Sequence, residues 1–271
     1  MSLLNPNQVT ADFDHSPGSA DLPAEPALRL RNFIWFFCAG LPGIAAVSIL
    51  VIPSLLGNRP GPMPIWVMSV AAGLQSAVTL ALAVWVGLVL KQRLGLRSPV
   101  FQALVASRPW LGELRSQILP GFLGGLIGAA VLVLVAKFTP PSLLAIQGKM
   151  EPFHIVAKVL YGGVTEELML RWGFMSCVLW LLWRFMQRSD GPPNTMYTLI
   201  AIAVSALMFG LGHLPATLAL VGTLTTDVVA YVIVGNAAFG VIAGYLFWTY
   251  GLESAIIAHA ITHLALAAFG Y

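Results

Sequence analysis

The stretch Val159–Trp183, VLYGGVTEELMLRWGFMSCVLWLLW, decides how the chain is read. A helix of about 20 apolar residues crosses the roughly 30 Å hydrocarbon core of a bilayer, and this run has 25 residues. Its centre nevertheless holds Glu166, Glu167 and Arg171. Three such residues cost roughly 8–10 kcal/mol at the middle of a membrane helix, against about 0.3–0.6 gained per Leu, Ile, Val or Phe. Packing alone does not explain them.

Runs of spanning length recur at Phe33–Leu56, Ile65–Leu90, Ile118–Phe138, Tyr197–Leu214, Val228–Tyr250 and Leu252–Tyr271. The region from Pro215 to Asn236 is apolar apart from Asp227, and a break at Gly235 and Asn236 would split the sixth span, Val228–Tyr250, into two shorter helices, so the expectation is about seven or eight spans. Of the 271 residues 58% are hydrophobic and 9% charged, where a soluble domain carries about 25% charged residues. A water-soluble fold is excluded on that ground, and nothing supports nucleic-acid binding. The fold class is therefore all-α, a polytopic integral membrane bundle. Cys38 and Cys177 each sit in an apolar run and read as packing residues.

Residues 1–28 lack lysine and arginine but hold Asp12, Asp14, Asp21, Glu25 and four prolines, a composition that does not sustain a core. Residues 1–31 are thus expected to be a disordered cytoplasmic tail and 32–271 a single transmembrane domain with an uncleaved first span. Arg29, Arg31, Lys91, Arg93, Arg97, Arg108, Arg115, Arg184 and Arg188 fall on one side, and only Arg59, Lys137 and Lys149 on the other. The basic excess places the N-terminus in the cytoplasm, with Phe101–Gln117 along that interface. In a bacterium the membrane would be the plasma membrane. Gly121 with Gly125, Gly124 with Gly128, and Gly240 with Gly244 mark close helix packing.

Glu167 and Arg171 are four residues apart, so they share a helix face and can pair. Glu166 points about 100° away. Gly162 and Gly163, one turn earlier, leave room beside the carboxylates for water or substrate. Three of the five histidines also fall in spans: His213, and His259 with His263 on one face. His15 and His154 have no such placement. These residue types suit peptide hydrolysis, in which a desolvated glutamate takes a proton from water while histidines orient the water and donate to the oxyanion. Ser205 and Thr262 lie in spans but lack an evident base, and the cysteines are remote in sequence from the cluster.

The order of these residues resembles a known family. Glu166-Glu167-Leu-Met-Leu-Arg171 fits E-E-x-x-x-R, Phe209-Gly-Leu-Gly-His213 fits F-x-x-x-H, and His259 opens a third motif, usually H-x-x-x-N or H-x-x-x-D. The pattern is similar to that of the CAAX prenyl endopeptidases of the Ras-converting type and their bacterial relatives, the CPBP or Abi family. The resemblance implies an intramembrane endopeptidase acting on a membrane-associated, prenylated or transmembrane peptide or protein. Glu166 and His213 would activate water, His259 would serve the oxyanion, and Glu167, Arg171 and Phe209 would support the geometry. His263 departs from the family's amide or carboxylate, although an imidazole can also donate.

Glu166, His213, His259 and His263 are equally an acceptable zinc ligand set. The resemblance favours the version without a cofactor, and zinc is the alternative. Two further classes compete: a proton-coupled transporter, because intramembrane Glu, His and Arg also build relays, and a non-catalytic immunity or scaffold protein. The expected partners are the lipid bilayer and a peptide or protein substrate.

Overall fold

Lipid offers the backbone no hydrogen-bonding partner, so a spanning chain must satisfy its amides internally, and an open chain does so as helix. The computed structural model of the protein describes residues 25–57, 63–147, 153–188 and 191–270, and among them there is no strand. The helices are α1 (25–56), α2 (Ile65–Leu94), α3 (Pro99–Val105), α4 (Leu111–Ala136) and α5 (Pro141–Gln147). They continue with α6 (Ile155–Gln187), α7 (Thr195–Gly212), α8 (Leu214–Val221), α9 (Thr226–Thr249) and α10 (Leu252–Ala268).

Six stretches are long and apolar enough to cross a membrane, namely α1, α2, α4, α6, α7 with α8, and α9, while α10 is a shorter apolar helix. The outward surface agrees. On α2, Trp66, Val70, Leu74, Val78, Leu82, Trp85 and Val89 recur every three or four residues and are each more than half exposed. A continuous apolar stripe of that length on an outer helix is a lipid-facing surface. The protein is a multi-pass integral membrane helical bundle.

Several expectations change. Residues 25–31, placed in the tail by the sequence, are already helical; residues 1–24, Arg59, Lys149 and Tyr271 lie outside the described residues. The break at Gly235 and Asn236 does not occur, because α9 runs through both and Asn236 Nδ2 donates to the Val232 carbonyl at 2.8 Å. With its polar group satisfied inside its own helix, Asn236 has no need to interrupt it. The chain turns instead at Gly222, whose φ of 77° is left-handed. Phe101–Gln117 is not one surface segment either. It divides between α3 and the start of α4, and Gln117 is buried because its Oε1 accepts from Ser254 Oγ of α10 at 2.7 Å.

Small residues set the helix contacts. A Cβ at Gly121 would lie 2.7 Å from Ile257 Cβ, and one at Gly125 would lie 2.6 Å from Ile261 Cβ, so α4 and α10 run parallel with backbones in near contact. Gly240 and Gly244 of α9 meet Ala206 and Ile202 of α7 in the same manner, antiparallel. Gly162 of α6 faces His263 while Glu167 bonds His259, so α10 runs antiparallel to α6. Since α1 also runs antiparallel to α6, with Gly40 against Leu168 and Gly43 against Thr165, α10 ends at the face opposite the start of α1. An aromatic core of Phe36, Trp172 and Phe247, with centroids 4.7 and 6.2 Å apart, ties α1, α6 and α9 together. This leaves α6 central, with its glutamates aimed at α10.

These contacts make Gly125 intolerant of any side chain. Gly125→Val should lower stability by about 1–3 kcal/mol, whereas Gly112→Val, at a position with nothing within 4 Å, should be close to neutral. Thermal unfolding of both variants in detergent micelles checks the difference.

Candidate active site

α6 does not wind as a regular α-helix where it carries the carboxylates: Lys158–Glu166 and Leu168–Met175 are π-helical. Such widened turns recur at functional sites because they shift side chains out of α-helical register. Glu167, fully buried, serves two partners. Its Oε2 lies 3.2 Å from Arg171 Nε, one turn on, and its Oε1 accepts from His259 Nδ1 at 2.8 Å. The pairing of Glu167 with Arg171 is as the spacing led one to expect; the bond to His259 is not legible in the sequence.

Arg171 is also fully buried, and its Nη2 donates to the Gly240 carbonyl of α9 at 3.2 Å. Its guanidinium carbon stands 4.8 Å above the Phe209 ring of α7, a cation–π contact. The approach of Arg171 Nε to Glu167 Oε2 is close but misaligned for a hydrogen bond, and Arg171 Nη1 has no hydrogen-bond partner. The pair is therefore held by charge more than by directional bonding.

His259 is clamped on several sides. The rings of Phe209 and Phe239 approach it at centroid distances of 5.7 and 4.6 Å, and His263 stacks on it at 4.9 Å with 26° between planes. With Nδ1 held by Glu167, its Nε2 turns toward Glu166, whose Oε2 is 4.0 Å away. That gap is too long for a direct hydrogen bond. Glu166 differs from its neighbour in access, with 16% of its side chain exposed against none for Glu167. The notch at Gly162 receives both imidazoles, since a Cβ there would lie 2.7 Å from His263 Nε2 and 3.2 Å from His259 Nε2. The space expected for water or substrate at this glycine is thus taken by the histidines, and Gly163 packs against Ala260.

His213 sits where α7 gives way to α8. Pro215 has no N–H to continue the helical ladder, so the helix is interrupted there. The ring remains tied to the preceding turn, with Nδ1 2.8 Å from the Phe209 carbonyl. A carbonyl only accepts, so Nδ1 carries the hydrogen and the Nε2 of a neutral His213 presents a lone pair. The Phe209 ring meets His213 edge-on at 4.8 Å. Through Phe209, all seven singled-out residues join one cluster: Glu166, Glu167, Arg171, Phe209, His213, His259 and His263. Phe239 and the Gly240 carbonyl are additions that no motif signalled. Among the described residues, no three His, Cys, Asp or Glu side chains are grouped so that they could hold a metal ion.

Neighbouring carboxylates in such different surroundings should respond differently to the same change. Glu167→Gln strands the Arg171 charge and should cost about 3–5 kcal/mol, while Glu166→Gln should change stability by less than about 1 kcal/mol. Equal losses in unfolding measurements on the two variants would contradict this assignment of roles.

Residues 149–265 match the family model described as type II CAAX prenyl endopeptidase, Rce1-like. No curated protein and no solved structure matches the chain. The matched segment contains every residue of the cluster, from Glu166 to His263, on α6, α7 and α10. Over residues 149–265, then, the protein is similar to the Rce1-like CAAX-type membrane endopeptidases.

Proposed function

We propose that the chain hydrolyses a peptide bond of a membrane-associated, prenylated or transmembrane protein, using a water activated by Glu166 and His213. The observation that carries this reading is the contrast between the two carboxylates. Glu167 is used up by Arg171 and His259, whereas Glu166 is partly accessible and makes no direct hydrogen bond to the histidine it faces. A carboxylate in a water-poor site is a competent general base.

In this mechanism Glu166 takes a proton from water as the water oxygen attacks the scissile carbonyl. His213 orients that water through its Nε2 lone pair. The negative charge that develops on the carbonyl oxygen is met by the His259 ring, which Glu167 holds at Nδ1. His263, stacked beside it, supplies a second donor. Collapse of the tetrahedral species breaks the C–N bond as Glu166 returns its proton to the leaving amine. Arg171 and Phe209 hold this frame without touching substrate.

The mechanism is written with water and side chains alone. Residues 32–271 would act as one transmembrane protease domain. The start of α1 would face the cytoplasm, because lysine and arginine gather at that end of the bundle. In a bacterium the host membrane would be the plasma membrane.

In proteoliposomes carrying a membrane-tethered peptide, Glu166→Ala, His213→Ala and His259→Ala should each lower cleavage by about 10²–10⁴-fold. Folded yield should be unchanged in Glu166→Ala and His213→Ala, whereas His259→Ala also removes the bond from Glu167 to α10 and should lower stability. Cleavage persisting in Glu166→Ala would remove the proposed base, and a pH-driven flux without cleavage in the wild type would point to a transporter. Wild type without either activity would leave the immunity or scaffold reading. His263→Asn, which restores the family's usual donor, should stay within about tenfold of wild type, and a chelator should leave the rate unaltered. Stoichiometric zinc whose removal abolishes cleavage would overturn the metal-free mechanism.

A further inference from the structure

Away from the glutamate–histidine cluster, the ends of α1 and α2 enclose a cavity of about 490 Å³. Arg29, Asn32, Lys91 and Arg93 form its polar side, and Phe33 and Trp85 are among its apolar walls. Among the described residues that line it, none is acidic. Arg31 does not line it and instead donates to Ser107 Oγ at 2.8 Å. Three cations therefore converge on one crevice in a chain with only 14 lysines and arginines.

The apolar wall shows which kind of anion suits the crevice. Trp85 and Val89 line it and also belong to the outward stripe of α2 that faces lipid, so the crevice opens sideways onto the acyl region. A small soluble anion would use the cations and leave that wall uncovered. A molecule with a negative head and a hydrocarbon tail uses both surfaces. The volume suits a headgroup with the first part of a chain, the rest continuing along the α2 stripe.

We infer that this crevice binds one anionic phospholipid, its phosphate held by Arg29, Lys91 and Arg93 and an acyl chain laid over Phe33 and Trp85. The inference is independent of the catalytic reading, because it uses no residue of the cluster. Each basic residue close to an anionic headgroup is worth about fivefold in affinity, so removing two should cost roughly thirtyfold.

Native mass spectrometry of the full chain, released from micelles containing dioleoyl phosphatidylglycerol or dioleoyl phosphatidylcholine, tests this. Wild type should retain one phosphatidylglycerol with at least about tenfold preference over phosphatidylcholine. Lys91→Gln/Arg93→Gln should lose that preference, and Arg184→Gln, outside the crevice, should keep it. Thermal unfolding in phosphatidylcholine micelles should show both variants folded; if the double variant is not, Arg29→Gln alone should lower the preference about fivefold. Equal retention of the two lipids by wild type would overturn the inference. So would undiminished preference in the folded Gln variants, or displacement of the lipid by millimolar inorganic phosphate, which would mark a simple anion site. Lipid retention only after removal of residues 1–24 would mean that the acidic tail fills the crevice, and the lipid assignment would fail.

Discussion

One carboxylate, Glu167, is shared between a guanidinium and an imidazole, and the arrangement of the site depends on that sharing. Within a membrane there is little hydrophobic force to bring helices together, since lipid tails are as apolar as leucine. Register must come from close backbone packing and from polar links that lipid cannot replace. Glu167 joins α6 to α10 through His259. Arg171, which it neutralises, extends the link to the Gly240 carbonyl of α9 and the Phe209 ring of α7. Four helices are thereby indexed to one another by a single acidic side chain. Leaving any one of these charges unpartnered would cost several kcal/mol, which makes the arrangement specific as well as stable.

This fixed pair is what allows the adjacent carboxylate to differ. Glu166 and Glu167 are neighbours in sequence, but the helix turns them toward different surroundings. The buried one is ion-paired with Arg171 and bonded to His259, and the partly exposed one has no direct hydrogen bond to that histidine. The ring of His259 connects them, with one nitrogen bonded to Glu167 and the other turned toward Glu166 at 4.0 Å. A fully paired and a partly exposed acid can thus sit side by side because an imidazole has two chemically distinct faces.

The sequence carried the membrane class, the helical content and the identity of the polar cluster, because each rests on local features: apolar runs of spanning length and ionisable groups that lipid would expel. It also carried the Glu167–Arg171 pairing, which depends only on helical spacing. It did not carry the Glu167–His259 bond, whose partners are separated by 92 positions. Phe239 stayed hidden because an aromatic in an apolar span has no distinguishing signal. The expected break at Gly235 and Asn236 failed because intrinsic helix-breaking tendencies weaken in a setting where Asn236 can return its amide to its own backbone. Gly162 looked like an open space, since a sequence records a missing side chain but not which neighbour moves in.

That occupied notch bears on the residue by which this chain departs from its relatives. Position 263 usually carries an amide or carboxylate in the family it resembles, whereas here it carries an imidazole stacked 4.9 Å from His259. An imidazole reaches farther than an asparagine side chain, and its Nε2 comes within 2.7 Å of where a Cβ at residue 162 would stand. Glycine at 162 and histidine at 263 are therefore a matched pair: any larger residue at 162 would push the ring off the stack, and with it disturb the neighbouring His259. The His263 ring is thus set against that of His259 by ring stacking and by a missing side chain, so its position is fixed by sterics.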